Sequence, residues 1–440
     1  MVRAEEHWKW LGGVNLWMTL GALAVAVVMT LAAPAAQAQS FTVLHTFTGA
    51  ADGKYPSGAG ISMDRAGNLY GTTSYGGQYN SNCDYFGTQT GCGVVFKMSR
   101  RSSGWTFNVL HSFNGTDGYS PNQLISVASD GSVYGSTYYG GTGTFCTSGC
   151  GTLFHLQPPS TFCRSAGCPW TATVLHNLQG APNDGSLPDF GALTFGADGN
   201  LYSTAETGGF YNGGAVYELS RNGDSWSTSL LYSFTGYLDG ANPWGGVIFD
   251  RAGNIYGTAT AAFDGSGVVF QLARSGSGWT YNVLHTFNYD VDGDIPSGPL
   301  VMDSVGNLYG VTESYGPNGG GTIWELSPNN GSWNFSLVYS FTDGPYSGPI
   351  GGLLLDAAGN LYGATIYDGA YNYGSVFKLS PSSNGWTYTS LHDFTGGSDG
   401  WYPWSSLSMD ANGNLFGVAA FGGGTQDCSS GCGVVFEITP

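Results

Sequence analysis

Short runs of β-branched and aromatic residues, each bounded by Gly, Asn, Asp or Pro, follow one another from residue 41 to the end of the chain, the pattern of strands joined by tight turns. Four kinds of run recur in a fixed order. The most regular, G-N-L-Y-G at Gly67 to Gly71, returns at Gly131, Gly199, Gly253, Gly306, Gly359 and Gly413, at intervals of 64, 68, 54, 53, 53 and 54 residues. A G-V-V-F-K run starts at Gly93, Gly151, Gly214, Gly267, Gly321, Gly374 and Gly433. A V-L-H-T-F run ends at Phe47, Phe113, Leu178, Phe234, Phe287, Phe341 and Phe394, and a short apolar run such as Gly60 to Asp64 precedes each Gly-Asn turn.

Four strands repeated at a period near 50 residues predict propeller blades. The expected fold is therefore all-β, a seven-bladed β-propeller of four-stranded antiparallel blades. Small Gly and Ser residues place the short run innermost, and the V-L-H-T-F run is then outermost. Because the series opens with an outermost run, Phe41 to Phe47, and closes with a third strand, the N-terminal strand is expected to complete the last blade and close the ring. An open solenoid is the alternative, and it requires polar capping units that this sequence lacks.

Composition agrees with that reading. The chain holds 73 glycines, 24 Phe, 27 Tyr and 13 Trp, with 12 basic against 30 acidic residues for a net charge of -18. Such a surface repels phosphate backbones, which argues against nucleic acid as a partner. Arg3 and Lys9 precede a charge-free stretch from Leu11 to Ala33 and then Ala36-Gln37-Ala38, the order of an export signal cleaved after Ala38. An uncleaved anchor is the alternative. The expected division is a signal peptide over 1–38 and a single propeller domain over 39–440, secreted to the extracellular space or the periplasm. No later segment is apolar enough to span a membrane, and a monomer is expected.

Eight cysteines fall in four close pairs, Cys83 with Cys92, Cys146 with Cys150, Cys163 with Cys168 and Cys428 with Cys432, and local disulfides are the simplest pairing. None of the pairs has C-x-x-C spacing or a neighbouring His, so zinc is disfavoured and no metal site is expected. Asp290, Asp292 and Asp294 resemble part of a calcium loop. Its twelfth position is Val301 in place of Glu, leaving at most adventitious calcium.

The units V-L-H-x-F-T-G, D-G-x-x-P, D-x-A-G-N-L-Y-G-T-T and G-V-V-F-K-L-S, in this order from Phe41 to Pro440, resemble the GloVer (Gloeo-Verruco) tandem repeats of secreted bacterial proteins. The resemblance implies an extracellular repeat protein, in a family that often ends in a surface anchor. Pro440 follows the last run directly, which implies a released member. The family brings no generally assigned catalytic residue.

His45, His111, His176, His285 and His392 share one register with Tyr232 and Tyr339. An exchange of His for Tyr on an outermost strand indicates packing and hydrogen bonding in preference to catalysis. His155 reads the same way. Asp64, Asp250, Asp303, Asp356 and Asp410, with Asp130 and Asp198 displaced by two residues, read as turn formers, as do the Asp residues of D-G-x-x-P at 52, 117, 184, 239, 292 and 399.

Departures from the repeat are more informative. The loop between the second and third strands varies most, and it opens on the same face as the D-G-x-x-P connection. Together they bring Tyr75, Tyr139, Phe210, Tyr211, Trp244, Phe263, Tyr315, Tyr367, Trp401 and Trp404 to one face as candidate platforms for sugar rings. The competing reading is that many of these aromatics only pack their own loops. Glu206 and Glu313 both follow a second strand, two blades apart, and form a candidate acid and base pair, with Asp264 or Asp368 as helpers. The expected function is non-catalytic binding of a polysaccharide or cell-surface partner. A carbohydrate-active hydrolase or lyase is the alternative, and a structural surface or matrix protein is a further one. Whether the protein is an enzyme at all is left open, with binding favoured.

Overall fold

The computed structural model describes residues 39–56, 60–80, 83, 90–159, 169–223, 225–261, 266–342, 344–424 and 428–439. Seven four-stranded antiparallel sheets follow one another along the chain, numbered here as blades 1 to 7. Blade 1 comprises Ser62–Met63, Leu69–Thr73, Val94–Arg101 and Gly104–Ser112. Blades 2 to 6 begin at Ser126, Thr194, Ile248, Val301 and Leu354. Blade 7 takes Ser408–Met409, Leu415–Ala419 and Val434–Thr439 from the end of the chain and Ser40–Thr46 from near its beginning. That last pairing runs from Ser40 opposite Thr439 to Thr46 opposite Val434, so the expected closure is present and no blade lacks its outer strand. Ser40–Thr439 is one compact unit. The export segment expected over 1–38 lies outside the described residues.

The repeated residues explain the blades. In the second strand, the closing glycine of G-N-L-Y-G lies opposite the aromatic of the third strand, as Gly310 opposite Trp324. A Cβ on Gly310 would sit 2.3 Å from the indole, and one on Gly71 2.6 Å from Phe96. In six blades the missing side chain makes room for the ring over the neighbouring strand, while blade 3 accommodates Ser203 opposite Tyr217. The final aromatic of V-L-H-T-F is fully buried, with Phe47, Phe234 and Phe394 at 0% exposure. It joins clusters drawn from two adjacent blades, as Phe287 of blade 4 packs with Leu300, Leu308 and Trp324 of blade 5.

Each outermost strand also carries a β-bulge that the repeat alone does not announce. Val95 faces His111 but Phe96 faces Val109, leaving Leu110 as the extra residue. The same slip makes Leu44, Leu175, Leu231, Leu284, Val338 and Leu391 the inserted residue in the other blades. The extra residue turns inward and packs on the core in every blade, and the added twist aims the following His or Tyr along the blade edge.

That residue meets the D-G-x-x-P carboxylate. His Nε2 lies 3.1, 2.9, 2.7, 2.7 and 3.2 Å from Asp52, Asp117, Asp184, Asp292 and Asp399, and Tyr232 donates to Asp239 at 2.8 Å. The carboxylate also accepts from a backbone N–H three to five residues upstream, as from Thr395 at 2.9 Å. His45, His285 and His392 stack on Phe107, Phe335 and Phe41 of the next blade, with centroids 3.9, 4.1 and 3.8 Å apart. These histidines are structural links between blades. At the Gly-Asn turns, Asp64 accepts from the backbone of Ala66 and Asn68 and from the Tyr70 hydroxyl, and Asp250, Asp303 and Asp356 repeat the arrangement.

Cys83–Cys92, Cys146–Cys150 and Cys428–Cys432 are disulfides. Cys163 and Cys168 lie outside the described residues. The three bridged loops belong to blades 1, 2 and 7, which are consecutive around the ring. Among the described residues, no helix is long and apolar enough to cross a membrane.

Candidate functional site

The D-G-x-x-P connection and the loop after the second strand meet on one face, joined by backbone bridges such as Lys54 with Tyr75, Tyr119 with Tyr139 and Trp401 with Phe421. The residue before the proline decides what this face presents. Tyr55, Ser120, Leu187, Asn242, Ile295 and Tyr402 all have positive φ, between 51° and 63°. Side-chain-bearing residues rarely adopt that conformation, least of all before proline, and each costs on the order of 1–3 kcal/mol. Hydrogen bonds to both neighbouring blades hold it in place. Tyr402 N–H donates to Tyr373 O at 3.0 Å, and Tyr402 O accepts from Ala420 N–H at 3.0 Å. Tyr55 is held likewise between Cys432 and Ser74.

Near the axis these connections enclose a cavity of about 600 Å³, within the size range of small-ligand sites. Its aromatic wall comes from Tyr55 and Tyr75 at blade 1 and from Trp401, Tyr402 and Phe421 at blade 7, with Tyr367 reaching in from blade 6. Phe190 and Trp404 form the floor, with ring centroids 5.0 Å apart. They come from opposite sides of the ring, so together they cap its centre. Ser74, Ser120 and Asn122 supply the polar wall. Asn122 Oδ1 accepts from Ser74 Oγ at 2.9 Å and from Ser120 Oγ at 3.1 Å.

Behind that wall lie two carboxyls. Asp189 is buried. Burial, followed by the nearby Glu206 charge, pushes its pKa well above the usual carboxylate range, while the Phe190 N–H and the Asn122 side chain oppose the shift. Glu206 is half-buried, and burial raises it too, against a hydrogen bond that the Tyr138 hydroxyl donates at 2.6 Å. Glu313 is also half-buried, and burial, then the Asp294 charge, pushes it up to about 7. The frequent fate of a loop Glu, a solvated surface position, does not apply to either residue. Glu206 meets Tyr138 and Asp189, whereas the charge acting on Glu313 is that of Asp294. Neither glutamate lines the cavity.

Of the aromatics singled out from the sequence, Tyr75, Tyr367, Trp401 and Trp404 line the cavity. Trp244 packs against Phe190 at 5.7 Å beside it. Tyr139 and Tyr315 pack across to the connection ahead of their own blades, against Tyr119 at 5.1 Å and Tyr289 at 4.8 Å. Phe210 and Tyr211 stand 68% and 59% exposed on the outer rim. Phe263 and Asp264 lie outside the described residues, and Asp368 accepts from Tyr388 at 3.3 Å. Tyr55, Phe190, Tyr402 and Phe421 were not anticipated, although the repeated position before the proline was a usable cue for Tyr55 and Tyr402. Asp292 is engaged by His285 and the Asn288 N–H. No group of three His, Cys, Asp or Glu side chains suited to a metal ion occurs among the described residues.

None of the curated proteins matches the chain. Among solved structures, the extracellular domain of the proposed one-component system BT4673 from B. thetaiotaomicron is similar at a TM-score of 0.51 and 10% identity, over 90% of this chain and 39% of that one. A protein of unknown function from Dyadobacter fermentans is similar at 0.46 and 12%, over 91% and 98%. A chain of a nidogen/laminin complex is similar at 0.41 and 14%, over 69% and 91%. At such identities the likeness concerns the fold alone. The model of the Gloeobacter/Verrucomicrobia repeat matches residues 149–352 and 314–440, more than half of the sequence, and the chain belongs to that repeat family.

Proposed function

We propose that this protein is a secreted, non-catalytic binder of extracellular polysaccharide, and that the cavity at the hub of the loop-bearing face receives the sugar. The observation that carries the reading is the opposition of aromatic rings to the Ser74, Ser120 and Asn122 wall across one small cavity. Rings offer flat apolar surface to the C–H face of a pyranose, and the hydroxyl and amide groups exchange hydrogen bonds with its rim. The three disulfides fit an oxidising compartment. A hydrolase using Glu206 and Glu313 is the rival reading, favoured by their raised pKa values. It is weakened because neither carboxyl borders the cavity.

A glycan array probed with the protein, beside a reducing-sugar release assay, tests the proposal. Binding without release is expected. Tyr367→Ala, at an exposed position, is expected to weaken binding about tenfold, or ~1.4 kcal/mol, with the melting temperature unchanged. Release of sugar that Glu206→Gln abolishes would establish the rival instead.

A further inference from the structure

Trp401 belongs to two cavities. It lines the hub site, and it also lines a cleft of about 630 Å³ that lies outward over blade 7. Gly396, Gly397 and Ser398 of the connecting loop form one side of this cleft, and Ser429 to Gly431 of the bridged loop form the other. The indole is fixed between the two spaces. It stacks on Phe421 at 4.6 Å and 28°, and its Nε1–H donates to Ser430 O at 3.3 Å. Ser430 lies within the Cys428–Cys432 disulfide loop, and its carbonyl also accepts from Gly422 N–H at 2.8 Å. The disulfide thus holds the loop that holds the ring.

Blade 2 shows that the connection is particular to blade 7. A cleft of about 800 Å³ occupies the corresponding place there, beneath the Cys146–Cys150 loop. Its counterpart of Trp401 is Tyr119, which is only 2% exposed and stacks on Tyr139. Tyr119 does not reach the hub cavity, so that cleft stands alone. Among the described residues, neither the hub cavity nor the blade 7 cleft is lined by an acidic or basic side chain. The nearest cation described at the hub, Lys54 Nζ, lies over the Tyr55 ring at 5.6 Å.

We propose that the hub cavity and the blade 7 cleft form one elongated site, bridged by Trp401, that takes several consecutive units of a neutral oligosaccharide chain lying radially across the face. This rests on the glycan reading above and adds to it the shape and charge of the ligand. With a chain charge of -18 and no cation among the lining groups, an acidic glycan would bring charge into a site that cannot neutralise it. A chain covering both spaces gains from each additional unit until the cleft is filled.

Calorimetry with size-graded cello-, xylo- and malto-oligosaccharides, and with oligogalacturonates as the acidic counterpart, tests the proposal. At least one neutral ladder is expected to bind, its affinity rising about tenfold or more from short to long members before reaching a plateau. Ser398→Tyr, at an exposed position in the cleft and away from the hub, is expected to keep short-chain affinity and lose the rise with length. Cys428→Ser with Cys432→Ser should lose the same increment, and circular dichroism of both variants verifies the fold. Equal affinity at every length overturns the elongated site and leaves the hub reading standing. Tighter binding of oligogalacturonate overturns neutrality, and failure of every ladder to bind overturns both readings together.

Discussion

At the scale of single residues, the two kinds of buried titratable group respond oppositely to pH. His392 is held below the usual histidine range chiefly by burial, with Asp399 opposing. The unfolded chain then takes up a proton that the folded chain refuses, so this contribution is present above about pH 6.5 and lost as the pH falls through the depressed value. Glu313 has the reverse sign. Its pKa is raised to about 7, so its contribution is complete below the ordinary Glu range and lost as the pH rises through about 7. Melting temperatures of Glu313→Gln and the parent should therefore diverge on going from about pH 5 to about pH 8, the variant gaining relative to the parent. A constant difference would contradict the shift. Steric limits are as local. Gly310→Ala puts a Cβ against the buried Trp324 ring and is expected to cost about 1–3 kcal/mol, measurable by denaturant unfolding, whereas Gly104→Ala, with nothing within 4 Å, pays only for its positive φ.

At the scale of elements, the four runs of each repeat were readable because strands half-buried between blades need β-branched and aromatic residues at fixed spacing. Turn residues mark their ends. The bulge at Leu44, Leu110 and their equivalents was not readable, since V-L-H reads as an unbroken strand until its partner's register is known. The same is true of the connection ahead of each blade. D-G-x-x-P announces a turn and marks the position before the proline, but the positive φ of Tyr55 or Tyr402 comes from hydrogen bonds to the two flanking blades, a long-range cause that the local sequence does not show. For this reason four of the ten anticipated aromatics line the cavity, while Phe190, which closes its floor, went unnoticed. Deleting Leu391 tests the element directly. Without the extra residue His392 should turn away from Asp399 and from Phe41, and hydrogen exchange should show faster opening of Gly385–Asp393.

At the scale of the whole molecule, blades 7, 1 and 2 differ from the other four. They carry the described disulfides, and they supply most of the cavity wall. The ring itself is stitched at the hub by hydroxyls that donate to the next blade, from Ser126 to Leu193 O at 2.6 Å, from Thr194 to Val247 O at 2.7 Å, and across the closure from Ser408 to Ile61 O. Removing Ser40–Thr46 should uncover the edge of Val434–Thr439 and convert a monodisperse protein into aggregates by light scattering.

Ser40–Thr46 finds its partner only in Val434–Thr439. The first of the described strands to be synthesised accordingly waits for its ladder partner until the last of them has been made. Loop closure over such a span is slow, and meanwhile a bare edge is available to any passing chain.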